Sequence, residues 1–131
     1  MFGKKKNEIL VDHRLAYCVS LTTRRHGVYI KREEVEKKFP EDDPPKTTRE
    51  LNSFLAERKL EASLINISID DFKDKNFVFP CAVPLMNGES IIALSVLKKE
   101  DDYFIKFLDP LDPQARQQEV GINEFEKLWK N

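Results

Sequence analysis

Asp12-His13-Arg14-Leu15-Ala16-Tyr17-Cys18-Val19-Ser20-Leu21-Thr22-Thr23-Arg24-Arg25-His26-Gly27 carries one helix from its start signal to its stop signal. The Asp12 carboxylate can accept from the exposed amides of a first turn, so it serves as the N-cap. Leu15, Cys18, Val19 and Thr22 fall at helical spacing and predict a buried stripe. Arg24, Arg25 and His26 suit the negative end of the helix dipole, and Gly27 is a natural residue just past a helix end.

Downstream of this helix, Lys31 to Lys38 predicts a short charged helix. Glu41 to Lys46, with three carboxylates and Pro44-Pro45, reads as an exposed loop. Thr47-Thr48-Arg49-Glu50 is a capping box in which the first and fourth side chains satisfy each other's amides. It opens an amphipathic helix defined by Leu51, Phe54, Leu55 and Arg58.

The second half changes period. Leu60 to Ile67 and Phe77 to Leu85 are rich in aliphatic and aromatic residues and read as strands, with a turn or short helix at Ser68 to Lys73. Asn87-Gly88 is a strong hairpin signal, because both residues tolerate the positive φ of a type I′ turn. It leads into Glu89-Ser90-Ile91-Ile92-Ala93-Leu94 and a strand from Ser90 to Leu97. A turn at Lys98 to Asp102 precedes a returning strand, Tyr103 to Leu108. Gln114 to Val120 reads as an edge strand, and Asn123 as the cap of a closing helix with Phe125, Leu128 and Trp129 facing inward. Helices first and a meandering sheet second imply an α+β fold, the N-terminal helices packed on one face of an antiparallel sheet.

A chain of 131 residues can bury one core without metal or disulfide staples, and residues 7–131 read as one domain behind a basic tail, residues 1–6. The net charge of -1, with both signs interspersed, provides no field that would steer the chain to nucleic acid. Lys4-Lys5-Lys6 is a short basic exception, read as a solvated tail, with contact to lipid headgroups as the lesser alternative. It precedes no apolar core of a signal peptide, and no stretch reaches the roughly 20 apolar residues of a membrane-spanning helix. No direct membrane insertion is expected. Cys18 and Cys81 show neither CxxC nor metal-ligand spacing, so no metal or other cofactor is expected and a reducing, cytoplasmic setting suits them.

A helix N-terminus facing a strand after a tight turn, then a strand ending in Phe107-Leu108-Asp109-Pro110, is the layout of a papain-like fold. A thiol nucleophile there would sit in the first helical turn, where unpaired amides and the dipole favour its thiolate. Arg14 occupies that place. Cys18 lies more than one turn further on, in the apolar stripe, and reads as a small core residue, as does Cys81 between Pro80 and Ala82. His26, at the helix's far end, is roughly 20 Å from its start. His13 has no cysteine beside it. Ser90 has no evident base, and Asp109 before Pro110 equally suits a turn.

On these segments, taken in order, the span from about Asn7 to Trp129 resembles the peptidase C39-like domain at the N-terminus of bacterial type I secretion ABC transporters. His26-Gly27, Cys18 and Asp109-Pro110 match its pattern, while Arg14 aligns with the catalytic Cys and Ser90 with the catalytic His. Asn87 to Leu94 looks most like the degenerate version in exporters of RTX proteins and very large adhesins. The resemblance implies a non-catalytic domain with a degenerate triad, Arg14, Ser90 and Asp109. Its expected role is to hold an unfolded secreted polypeptide near the cytoplasmic mouth of a transporter in the inner membrane. The partners implied are that cargo, an RTX protein or adhesin, and the transmembrane and ATPase domains of the parent. The expected contacts are a vacated cleft lined by Arg14, Tyr17, Ser90 and Asp109, and exposed strand edges. A free-standing interaction domain of the same fold and an active thiol peptidase are the competing readings.

Overall fold

A computed structural model describes residues 10–62, 68–114 and 116–130. The chain is a mixed α and β protein with four α-helices and two antiparallel sheets among these residues. It divides into two compact units, Met1–Asn66 and Ile67–Asn131. The basic tail lies outside the described residues.

In the first unit, strand β1 (Leu10–Val11) pairs antiparallel with β2 (Lys46–Thr47), bringing the entry to the first helix beside the entry to the third. Helix α1 (His13–Thr22) starts as expected, with Asp12 accepting the Leu15 amide at 2.9 Å. It tightens into a 3-10 turn, Thr23–His26, and stops at Gly27, whose φ of 79° is left-handed. The buried stripe differs from the apolar pattern. Leu15, Ala16, Cys18 and Ser20 are buried, while Val19 and Thr22 are half-buried. Ser20 and Thr23 can be buried because their hydroxyls donate back along the helix, to the carbonyls of Ala16 at 2.8 Å and Ser20 at 2.7 Å.

Helix α2 (Arg32–Lys38) follows, with the Glu34 carboxylate accepting the Lys31 amide. Helix α3 (Thr48–Ala56) carries the expected capping box between Thr47 and Glu50 and buries Leu51, Phe54 and Leu55. Arg58 lies beyond the helix end, its guanidinium 4.3 Å from the Phe54 ring centroid and 2.7 Å from Glu34. Phe39, just past α2, meets Phe54 edge-on at 5.8 Å.

The second unit is a four-stranded antiparallel meander, β3 (Cys81–Pro84), β4 (Ser90–Lys99), β5 (Asp102–Leu108) and β6 (Gln118–Gly121), closed by α4 (Ile122–Lys130). Val83 pairs with Ile91, Cys81 with Ala93 and Ile105 with Val120, and these residues face one core with Phe72, Ile122 and Phe125. Within this unit α4 and the 3-10 turn Ile69–Lys73 supply the helical cover of that face.

A bulge between Ala93 and Ser95 resets which residues of the ten-residue β4 face the core. Strict alternation from Ile91 and Ala93 would send Ser95 and Leu97 inward. One extra residue flips the parity, so Val96 joins the core instead.

Several expected boundaries move. The strand predicted over Phe77 to Leu85 is only Cys81–Pro84, because Pro80 has no amide to give a ladder and Phe77 and Phe79 pack on Phe72 instead. Of the strand predicted over Leu60 to Ile67, residues 60–62 are irregular and 63–67 lie outside the described residues. The Asn87-Gly88 turn is not type I′, since only Gly88 has positive φ, 89°. The Gly88 amide bonds back to Leu85 at 3.1 Å and the Leu85 amide to Glu89 at 2.8 Å, a wider loop in which Asn87 accepts the Glu89 amide. The edge strand begins at Gln118, not Gln114. Helix α4 starts one residue before Asn123, which is therefore helical and not the cap. Phe125 is buried and Trp129 packs on the core, but Leu128 is 45% exposed.

Candidate functional site

The N-terminus of α1 gathers the chemistry of the first unit. Arg14, in its first turn, is half-buried, as is Tyr17. His13 is only 4% exposed, and its Nδ1 stands 2.9 Å from the Phe39 carbonyl oxygen. A carbonyl only accepts, so Nδ1 carries the proton and Nε2 faces the other way. Nε2 lies 3.6 Å from a Glu36 carboxylate oxygen and 3.4 Å from Nε of Arg32. Arg32 also reaches Glu41 at 3.4 Å and lies 5.3 Å over the Tyr17 ring, which stacks on His13. One imidazole, two carboxylates and a guanidinium thus converge on the start of the first helix.

In the second unit, Ser90 opens β4 opposite Pro84, on the same face as Ile92 and away from the core formed by Ile91 and Ala93. It is 3% exposed, so an arriving chain does not meet its hydroxyl at the surface. Asp109 follows β5. Ile92 pairs with Leu108, so Ser90 and Asp109 belong to the same end of adjacent strands. Asp109 accepts the Leu111 amide at 2.9 Å through its side chain and the Asp112 amide at 3.0 Å through its carbonyl. It organises the turn after the strand, the simpler of its two expected roles. Of the four residues expected to line a cleft, the first unit brings Arg14 and Tyr17 to one helix end, and the second brings Ser90 and Asp109 to one strand end.

Neither thiol is placed for nucleophilic work. Cys18 is fully buried inside α1. Cys81, in β3, packs against the apolar core, and burial pushes its thiol up to about 11. At neutral pH it is a thiol and not the reactive thiolate. His26 is exposed at the far end of the 3-10 turn, and the His13 ring is committed on one side to a backbone carbonyl.

The grouping of His13 with Glu36 and Glu41 carries no signal in the sequence. Separations of 23 and 5 residues match no ligand spacing, and the pairing arises only because α2 packs beside α1. The nearest hint was an otherwise unexplained histidine directly after a helix cap. No helix among the described residues is long and apolar enough to cross a membrane. No protein-family model, no curated protein and no solved structure matches this chain.

Proposed function

We propose that this chain is a non-catalytic C39-like domain, papain-like in fold, that docks an unfolded export substrate for a bacterial type I secretion ABC transporter. The observation that carries this reading is the start of α1. A C39 peptidase would keep a thiolate there, and this chain keeps Arg14, with Cys18 buried in the helix and Cys81 held protonated in the sheet. The order of the helix end at His26-Gly27, the Ser90 strand and the Asp109-Pro110 strand end supports the family. The degenerate pattern supports docking over cleavage.

Cargo contacts fall to Arg14 and Tyr17 on the first unit and to the main-chain edge of β6 on the second. Among the described residues β6 closes one side of its sheet and pairs only with β5. An extended chain could extend the ladder there, gaining affinity from backbone hydrogen bonds that do not depend on cargo sequence. An unfolded cargo offers such groups and a folded one does not. Affinity is modest, because ordering a flexible chain offsets much of the contact energy. In this reading the domain sits at the cytoplasmic face of the inner membrane, attached to the transmembrane and ATPase parts of its parent.

The test is titration of a matched RTX or adhesin fragment, unfolded without calcium and folded with it, alongside incubation with double-glycine leader peptides. Binding confined to the unfolded fragment, with no cleavage above buffer, is expected. Tighter binding to the folded fragment removes the docking mechanism. Turnover that Cys18→Ala abolishes restores the peptidase.

A further inference from the structure

We propose that His13, Glu36 and Glu41 form a binding site for a divalent transition-metal cation such as Zn2+, with the Arg32 guanidinium as the competing cation. The site lies wholly in the first unit; it borders Tyr17, but none of its three ligands is a residue proposed to contact cargo.

The donor atoms come first. One ring nitrogen of His13 and one carboxylate oxygen each from Glu36 and Glu41 lie within 4.8 Å of one another. Zinc binds nitrogen and carboxylate oxygen at about 2.0–2.2 Å, which places the ligand atoms of a tetrahedral site roughly 3.3 Å apart. The pair of His13 and Glu36, at 3.6 Å, is already near that spacing. Glu41 needs the larger adjustment, and it can make it. It is exposed and stands in the loop that follows Pro40, outside any helix or strand.

The histidine supplies the second argument, independent of the carboxylates. A metal-ligating imidazole ordinarily has its other nitrogen held by a carbonyl or carboxylate, which fixes both tautomer and ring plane. His13 has that support in place: Nδ1 donates to the Phe39 carbonyl, stacking on Tyr17 fixes the ring, and Nε2 lies 3.6 Å from Glu36 while accepting a long 3.4 Å contact from Arg32. Phe39 is itself buried, so the supporting carbonyl belongs to a packed segment and not to a loose one.

Arg32 competes with a cation for the same donors. Its guanidinium brings the positive charge that two carboxylates and an imidazole lone pair attract. Both of its polar contacts, to His13 Nε2 and to Glu41, are 3.4 Å long. That is well beyond the usual 2.9–3.0 Å of a strong N–H bond, so Arg32 is loosely held. Its side chain is 43% exposed and can withdraw along the Tyr17 face into solvent when a cation arrives. Imidazole with carboxylates suits zinc, cobalt or another first-row ion more than calcium or magnesium, which prefer all-oxygen sites. Three protein ligands also leave a position for water or an incoming group.

The experiment uses the whole chain, titrated with zinc chloride by calorimetry and with cobalt(II) by visible absorption. One equivalent of zinc is expected, with cobalt bands of a low-coordinate nitrogen and oxygen site and a rise in melting temperature with zinc. Because His13 is buried, His13→Ala confounds lost ligation with lost packing, so the exposed ligands carry the test. Glu36→Gln and Glu41→Gln should each weaken zinc at least tenfold, since even a partner that merely supports a metal ligand is worth about 10–100-fold. Arg32→Gln should bind zinc more tightly than the parent by removing the competing cation. Absence of a stoichiometric site overturns the proposal. So does zinc binding that both glutamine variants retain and that His26→Ala or Cys81→Ser removes.

Discussion

The two units of this chain are held by different forces. In the first, three buried polar side chains, His13, Ser20 and Thr23, make directional bonds to backbone carbonyls. Helix starts are fixed by Asp12 and by the Thr47–Glu50 box, and Arg58 ties Glu34 of α2 to the ring of Phe54 in α3. In the second, Phe72 is surrounded by Phe77, Phe79, Phe125 and Trp129, with ring centroids 5.0 to 6.0 Å away. Apolar burial is strong but indifferent to direction, whereas hydrogen bonds are weaker and set orientation. The lesson is a division of labour: the unit that aims side chains is the polar one, and the unit that presents main chain is the greasy one.

The largest test removes the hub of the greasy unit. Phe72→Ala should cost about 3–5 kcal/mol, since it deletes a fully buried ring and leaves a cavity. Trp129 is the chain's one tryptophan and lies 5.2 Å from Phe72, so its fluorescence reports this unit directly. A small shift in its denaturation midpoint would show that the neighbouring rings collapse into the space and that the cluster has no hub.

The matching test in the polar unit is gentler. Cys18→Ser places a hydroxyl at a fully buried position in α1 and should cost about 1–3 kcal/mol, read from the helical circular dichroism signal. The same burial should shield the native Cys18 thiol from alkylating reagents until the helix opens. Rapid modification in the folded protein would contradict its position on the inner face of α1. Smaller again is Thr47→Ala, which removes the cap of α3 and should cost about 1 kcal/mol in the same signal. An unchanged midpoint there would mean that the β1–β2 ladder alone sets the start of the helix.

The smallest effect is a pH dependence that should separate the two units. The Glu34 carboxyl is held below its ordinary range by the Lys31 amide first and by the Arg58 guanidinium beside it second. A depressed carboxylate stabilises the fold above its unfolded pKa, and that contribution is lost as pH falls through the lowered folded value. Glu34→Gln should therefore weaken the helical signal at neutral pH and converge with the parent in acid. A gap that persists undiminished in acid would assign the effect to packing and not to charge.

How much of this was legible in the sequence follows the same division. The Asp12 cap, the Thr47 box and the stop at Gly27 are local devices, and local chemistry specifies them completely. Strands β4 and β5 were legible because each is a long apolar run beside a turn. The β4 bulge was not, because nothing local marks the point where the core stops wanting Ser95 and starts wanting Val96. Phe77 and Phe79 were misread as strand because a short aromatic run looks the same whether it forms a ladder or stacks on another ring. Leu128 has the apolar character of a core residue but a helical position that turns it outward. Arg14, Ser90 and Asp109 could be singled out one by one, while the cluster around His13 was invisible, since it depends on how one helix packs beside another.

The junction between β6 and α4 has a mechanical meaning. Gly121 is the last residue of the strand and Ile122 the first of the helix, with no connecting loop, and Ile122 and Phe125 are sunk in the core. A chain hydrogen-bonded along β6 would thus be moored to an element with no slack behind it. Tension on that chain would reach the hydrophobic core both through Val120 in the strand and through the peptide bond to Ile122, making β6 a stiff anchorage for a polypeptide under pull.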